Sequence, residues 1–238
     1  MSLPVAILAG GLATRMRPLT DRQPKILIDI AGRPFAIRQI ELLQQWGITH
    51  VLYLLGYLGE QVADLLGDGS QFGMRFEYQF DGPRLLGTGG ALKEALPKLG
   101  AAFFVMYGDS YLECDFRSVE RAFLESGQPG LMTVFRNENR WVPSNVHCEN
   151  SRIVRYDKRQ GTTGLDYVDY GLGVLTPEAF DPWRKVDEPF DLAVVYQALI
   201  ARGALAAFEV DERFFEIGSI EGLDDTRARV EARARRNQ

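Results

Sequence analysis

Residues 6–25, AILAGGLATRMRPLTDRQPK, set Gly10, Gly11, Arg15, Arg17 and Lys25 directly after an apolar run. Glycines after a strand let backbone N–H groups approach a phosphate closely, where Cβ atoms would obstruct. Arginine and lysine then supply charge and donors. Two familiar phosphate loops fail on spacing. The pattern GxxxxGK[ST] is absent, and Gly10-Gly11 has no third glycine in the GxGxxG register. On glycine and charge alone, a surface turn with scattered basic residues explains the stretch equally well. A second candidate is Asp109, which closes the buried run AAFFVMYGD and so falls at the carboxyl end of a strand.

The elements that would position these groups follow from hydrophobic period. Apolar runs at 3–9, 50–56, 101–109 and 130–136 read as strands, as does the alternating run 73–80. Segments 33–47, 57–69, 87–100 and 115–127 carry apolar residues at helical spacing or glycine punctuation and read as helices. Strands alternating with helices imply an α/β fold, a mostly parallel Rossmann-like sheet flanked by helices. Ligands in such sheets bind beyond the carboxyl ends of the strands. After about residue 140 the rhythm changes to shorter strands with turns, as in a small β-rich lobe. A helix over 189–203, strands over 204–210 and 213–219 and a charged C-terminal helix follow. One domain over 1–238 is expected, with a first half over 1–136 and a second half over 137–238.

The bulk composition narrows the function. The chain has 238 residues, 46% hydrophobic and 25% charged, enough for a sizeable core. A net charge of −5 argues against a nucleic-acid partner. Two cysteines and two histidines make neither a disulfide framework nor a zinc site. The N-terminal MSLPVAILAGG lacks the charged region of a signal peptide, and no run reaches membrane-span length, so a cytoplasmic protein with no membrane partner is expected.

The full string LAGGLATRMRPLTDRQPKILIDIAGRPF resembles the signature of sugar-1-phosphate nucleotidyltransferases, roughly AGGxGTRxxPLTxxxPKxLxxIxGxP. LGTGGAL (86–92), YGDSYL (107–112), YDK (156–158), YGLGVL (170–175) and FFEIGSIEGL (214–223) continue the resemblance in the family's order. The long RPLTDRQPK segment favours this branch over the related molybdopterin-cofactor nucleotidyltransferases. The chain resembles the short catalytic-core type, and most closely the heptose- and mannose-1-phosphate guanylyltransferase branch. Thymidylyl and uridylyl transfer stay open, and so does a non-catalytic nucleotide-sugar-binding subunit of the same fold. The resemblance implies a nucleotide-diphospho-sugar transferase fold whose late lobe binds the sugar. It implies that an NTP and a sugar 1-phosphate react to give NDP-sugar and pyrophosphate, with Mg²⁺ as cofactor. Exposed apolar faces on the late strands would suit a homodimer.

Carried over position by position, the resemblance gives Arg15 and Lys25 to the triphosphate and Leu8, Ala9, Gly10, Gly11, Thr14, Asp81, Gly87 and Thr88 to the nucleotide. It gives Gly89, Lys158, Asp169 and Gly171 to the sugar phosphate, and Asp109 and Glu216 to the metal. Trp141, Asn145 and His147 are further candidates for the sugar pocket. Three departures stand out: Ala13 where relatives carry glycine, Arg159 where they carry proline, and Glu216 where they carry aspartate. Structural alternatives are a solvated Arg17, a helix-opening glycine block at 87–90, a turn role for Asp81, a strand end at Asp169 and a plain surface charge at Lys158 or Glu216.

Overall fold

The computed structural model describes residues 2–158 and 164–236; Arg159 lies outside them. In chain order the first strands and helices are β1 (Val5–Ala9), β2 (Asp29–Ile30), β3 (Arg33–Pro34), α1 (Phe35–Gln45), β4 (His50–Leu55), α2 (Gly59–Leu66), β5 (Arg75–Phe80) and α3 (Gly87–Leu99). Next come β6 (Phe103–Tyr107), β7 (Ser110–Tyr111), α4 (Phe116–Ser126), β8 (Gly130–Arg136), β9 (Val146–Glu149), β10 (Arg152–Tyr156) and β11 (Tyr167–Leu175). The chain closes with α5 (Leu192–Ala201), β12 (Leu205–Val210), β13 (Phe215–Glu216) and α6 (Ile220–Arg236). No helix among the described residues is long and apolar enough to cross a membrane.

Among the described residues one nine-stranded sheet runs β5-β4-β1-β6-β11-β8-β12-β10-β9. The strands β5, β4, β1 and β6 are parallel. Strand alternation divides their side chains between two cores. Val5 and Ile7 of β1 join Phe35, Ile40, Phe116 and Val230 on the face covered by α1, α4 and α6. Ala6 faces the other side, with Leu92, Ala95, Leu192 and Val195 of α3 and α5. Both faces are therefore apolar, which is why the early strands read as continuous hydrophobic runs. Asp115 and Asp191 cap α4 and α5 through the N–H groups of Arg117 and Ala193.

The β-rich lobe expected after residue 140 is the far edge of this same sheet. Strands β9 and β10 pair antiparallel with each other, and β10 continues the sheet from β12. The segment read as short strands with turns contains the nine-residue β11, which runs antiparallel between β6 and β8. Its register shifts between Asp169 and Gly173. The remaining strand and helix boundaries lie within a few residues of the expected ones, and the Pro177–Trp183 3-10 turn is an addition.

The chain leaves β1 toward β4 and β5 on one side and returns to β6 on the other, so a crevice opens beyond the carboxyl ends of β1 and β6. The two strand ends lie close together at Gly108. Its N–H donates to the Leu8 carbonyl at 2.9 Å, and a Cβ there would sit 2.8 Å from the Ala9 Cβ.

The loop after β1 is held by Thr20, whose buried hydroxyl donates to the Ala13 carbonyl at 2.9 Å. Ala13 itself has φ 48°, the left-handed region that suits glycine. Its methyl group does more than restrict the loop, because it occupies a strained conformation. Relief of that strain exceeds the entropy that glycine adds to the unfolded chain. Ala13→Gly is therefore expected to raise the unfolding free energy by up to about 1 kcal/mol, read as an increased denaturant midpoint at unchanged m-value.

Candidate active site

A cleft of about 250 Å³ occupies the crevice. Its walls include Leu8 and Ala9 from the end of β1, Gly10 and Gly11 from the loop, and Asp81, Gly87 and Thr88 from the segment after β5. Lys25, Tyr107 and Asp109 close one side. Thr14, expected among the nucleotide contacts, is not in this wall and lies exposed on the loop. Arg15 is also exposed, and Arg17 pairs on the surface with Asp21 at 3.4 Å, the solvated alternative. The Asp81 carboxylate accepts the Leu86 N–H at 3.2 Å. Burial raises its pKa, and that one hydrogen bond offsets the rise only in part.

The glycine block at 87–90 has a packing explanation. Gly87 opens α3 at φ +73°, and a Cβ there would meet the Phe190 carbonyl oxygen at 2.6 Å. Gly89 donates its N–H to that same carbonyl at 2.9 Å, and its absent Cβ would sit 2.4 Å from the Phe190 ring. Its amide and its open side both face Phe190, which is the helix-opening alternative for the glycine block. Thr88 lines the cleft while its hydroxyl accepts the Leu192 N–H at 2.8 Å.

Two carboxylates and the Lys25 ammonium converge at the carboxyl end of β6. Lys25 Nζ lies 2.6 Å from Asp109 Oδ2, both side chains about one-fifth exposed. Glu216 is brought alongside by a two-stranded ribbon in which β13 pairs with β7, Glu216 opposite Ser110. The Ile217 N–H donates to the Asp109 carbonyl at 2.9 Å and locks the register. A Cβ on Gly218 would lie 3.4 Å from Glu216 Oε1 and 3.7 Å from Asp109 Oδ2, so both carboxylates border one small space. Burial and then the Asp109 charge raise the Glu216 pKa, while Lys25 and Arg15 oppose the rise. The departure from aspartate at 216 thus still leaves a carboxylate beside Asp109.

These oxygens fit a hard cation. Mg²⁺ typically takes one or two protein carboxylates and completes its shell with water and substrate phosphate. No group of three or more His, Cys, Asp or Glu residues that could hold a metal exists among the described residues, so a pair is what the protein offers.

The sugar-side candidates sit apart from this pair. Lys158 Nζ lies 2.9 Å from Asp191 Oδ1. Burial works against ionised Asp191, but the Ala193 N–H and Lys158 outweigh it and hold its pKa below the usual value. Asp169 accepts from the Tyr156 hydroxyl and from the Gly171 N–H, each at 3.0 Å. Each carboxylate oxygen has one partner within the chain and keeps a lone pair for a further donor. Gly171, at φ +92°, lies over Ser110 beside Asp109. The Asn145 side chain accepts the Asp169 N–H, whereas His147 pairs with Glu149 on the edge strand. Trp141 is half exposed and stands with Glu216 around a separate groove. Sequence reasoning missed Asp191 and Phe190, although Asp191 stands where an N-cap precedes the helical pattern LAVVYQALI.

The family described as nucleotidyl transferase matches residues 5–143. N-acetylmuramate alpha-1-phosphate uridylyltransferase of Neisseria meningitidis is 34% identical over 177 residues, 74% of this chain and 76% of that protein. The chain belongs to the nucleotidyl transferase family. Mannose-1-phosphate guanyltransferase beta-B of Xenopus laevis is 26% identical over 89% of this nucleotidyl transferase, which spans 60% of that relative's length. A Bacillus anthracis protein solved with sucrose superimposes with a TM-score of 0.85 at 20% identity, covering 95% of this chain and 94% of that one, and so shares the fold. The family match contains Lys25 and Asp109 and ends before Lys158, Asp169 and Glu216.

A carboxyl whose pKa is raised by folding stabilises the protein when protonated and loses that contribution as pH rises through the shifted value. Replacing Glu216 by glutamine removes the charge that burial and Asp109 oppose. Glu216→Gln is expected to melt at a higher temperature than the parent at pH 7 and 8, with the difference vanishing toward pH 4. An unchanged or lower melting temperature at pH 8 would contradict the repulsion.

Proposed function

We propose that this chain, an enzyme of the sugar-1-phosphate nucleotidyltransferase family, transfers a guanylyl group from GTP to a hexose or heptose 1-phosphate, giving the NDP-sugar and pyrophosphate. The observation that carries the reading is the convergence of Lys25, Asp109 and Glu216, within the field of Arg15, beside a glycine-lined cleft.

The sugar phosphate oxygen attacks the α-phosphorus in line, and pyrophosphate departs. Such chemistry is mainly positioning and neutralisation of charge. Gly10 and Gly11 let the nucleotide lie against the backbone. Arg15 meets the departing β- and γ-phosphates. Lys25 leaves Asp109 to stand between the α-phosphate and the incoming phosphate, where a compact ammonium fits better than a broad guanidinium. Asp109 and Glu216 would hold Mg²⁺, which when bound supplies the positive charge that the phosphate oxygens need. Lys158 turns from Asp191 to the sugar phosphate.

Asp81 supports guanine over uracil. A carboxylate only accepts, and guanine offers adjacent N1–H and N2–H donors where uracil offers one N–H between two carbonyls. The second reading is uridylyl transfer, favoured by the 34% identity to the Neisseria enzyme. A regulatory subunit without catalysis is a further alternative, and the intact Arg15, Lys25 and Asp109 speak against it.

Pyrophosphate release measured over a panel of NTPs and sugar 1-phosphates tests all three. Turnover is expected with GTP above UTP and dTTP, and none with excess chelator. Asp81→Asn is expected to lower kcat/KM for GTP by about tenfold or more and to narrow its margin over UTP. A UTP preference that Asp81→Asn leaves alone would establish the second reading, and no turnover with any pair the third. Lys25→Ala is expected to cost roughly two to four decades in kcat/KM, with no recovery in Lys25→Arg. Lys158→Ala is expected to raise KM for the sugar phosphate more than for the NTP.

A further inference from the structure

Gln39 lies in the middle of α1 at 1% exposure, a polar side chain inside an apolar helix face. Its neighbours in that face are Phe35, Ala36, Ile40 and Leu43, all buried. The side-chain amide reaches across to residues about 70 positions away. Nε2 donates to the Ser110 carbonyl at 2.8 Å and to the Tyr107 carbonyl at 3.3 Å. Oε1 is buried and meets no donor among the described residues. A buried amide with one orphaned oxygen costs stability that an aliphatic residue of this size would not. What the amide gains is hold on one turn, since Tyr107 and Ser110 bracket Gly108 and Asp109.

We infer that Gln39 is a positioning residue for the metal carboxylates, an inference that rests on the proposed role of Asp109 and Glu216. Its two bonds fix the backbone on either side of Asp109. From the opposite side the Ile217 N–H takes the Asp109 carbonyl, and Glu216 pairs with Ser110. The separation of the two carboxylates is therefore set by backbone clamped between α1 and β13. Without the amide donor, the Tyr107 and Ser110 carbonyls lose their buried partner and the turn relaxes. Asp109 then no longer meets Glu216 at a spacing fit for one ion. Groups that support a metal ligand from behind in this way usually contribute about ten- to a hundredfold in metal affinity.

The test is Mn²⁺ binding, counted by electron paramagnetic resonance of the free ion. The full chain is used with one equivalent of NTP and no sugar phosphate, so nothing turns over, and each titration is read against the same NTP without protein, because the triphosphate binds Mn²⁺ itself. Gln39→Met keeps the volume and removes the donor. It is expected to bind Mn²⁺ about tenfold more weakly, to lose kcat at low metal and to regain most of it at high metal. Gln39→Glu, which sets an acceptor against two carbonyl oxygens, is expected to bind more weakly still. A purely structural role would lower the melting temperature and leave the Mn²⁺ midpoint of the folded protein where it was. Should Gln39→Met fail to fold, Gln39→Asn carries the test, because its amide falls one methylene short. A parental Mn²⁺ midpoint in the folded variant overturns the inference alone. Equal Mn²⁺ binding by the parent and Asp109→Asn overturns the metal-site reading and this inference with it.

Discussion

Two carboxylates of like charge, Asp109 and Glu216, share a small, partly buried space, and the surrounding architecture is arranged to keep them there. Left to themselves they would separate, or one would hold a proton. Lys25 lies against one of them, and the fields of Lys25 and Arg15 act on the other. These cations come from the loop after β1, so the first strand and the ribbon near the C-terminus meet at the same electrostatic centre. Relief of this tension is what a metal ion and a polyanionic substrate would supply, and a site arranged this way has affinity because its empty form is uncomfortable.

The ribbon that carries Glu216 is only two residues long and cannot hold itself. Helix α6 anchors it. The fully buried Thr226 hydroxyl lies within hydrogen-bond reach of the Gly222 carbonyl at 2.7 Å and the Glu216 carbonyl at 3.1 Å, and Arg229 and Arg233 of the same helix both bind Glu113, which follows Tyr111 and Leu112. The charged tail is thus a buttress for both sides of the carboxylate pair. Its long side chains act where they converge on Glu113, a residue only 11% exposed, far more than where they are solvated.

Much of this was legible in the chain. The early strands announced themselves because both faces of the parallel sheet are covered, so each is apolar throughout. Asp109 was legible because a lone acid closing such a strand must point into the crevice. Gln39 was not, since a polar residue at a helix position says nothing about a carbonyl some 70 residues away. Gly89 was ambiguous because close approach to a ligand and close approach to a Phe190 ring demand the same missing Cβ. Asp169 was ambiguous for a like reason, since an acid at a strand end gives no sign of whether its partner is a sugar hydroxyl or Tyr156. The small β-rich lobe was legible as short strands with turns, but strand length does not report which sheet a strand joins.

The placement of β11 has a consequence for how the molecule is made. β8 has two neighbours in the sheet, β11 and β12, and both come later in the chain. During synthesis from the N-terminus, β8 therefore emerges with two bare edges and waits at least 30 residues, from Arg136 to Tyr167, for its first partner. Its seven residues are apolar apart from Thr133 and Arg136, and such a strand invites pairing with another chain. The first four sheet strands can close their parallel pairings on the ribosome, and β9 and β10 can pair with each other, but β8 stays unpaired until β11 inserts as the hinge pin between two otherwise unconnected blocks.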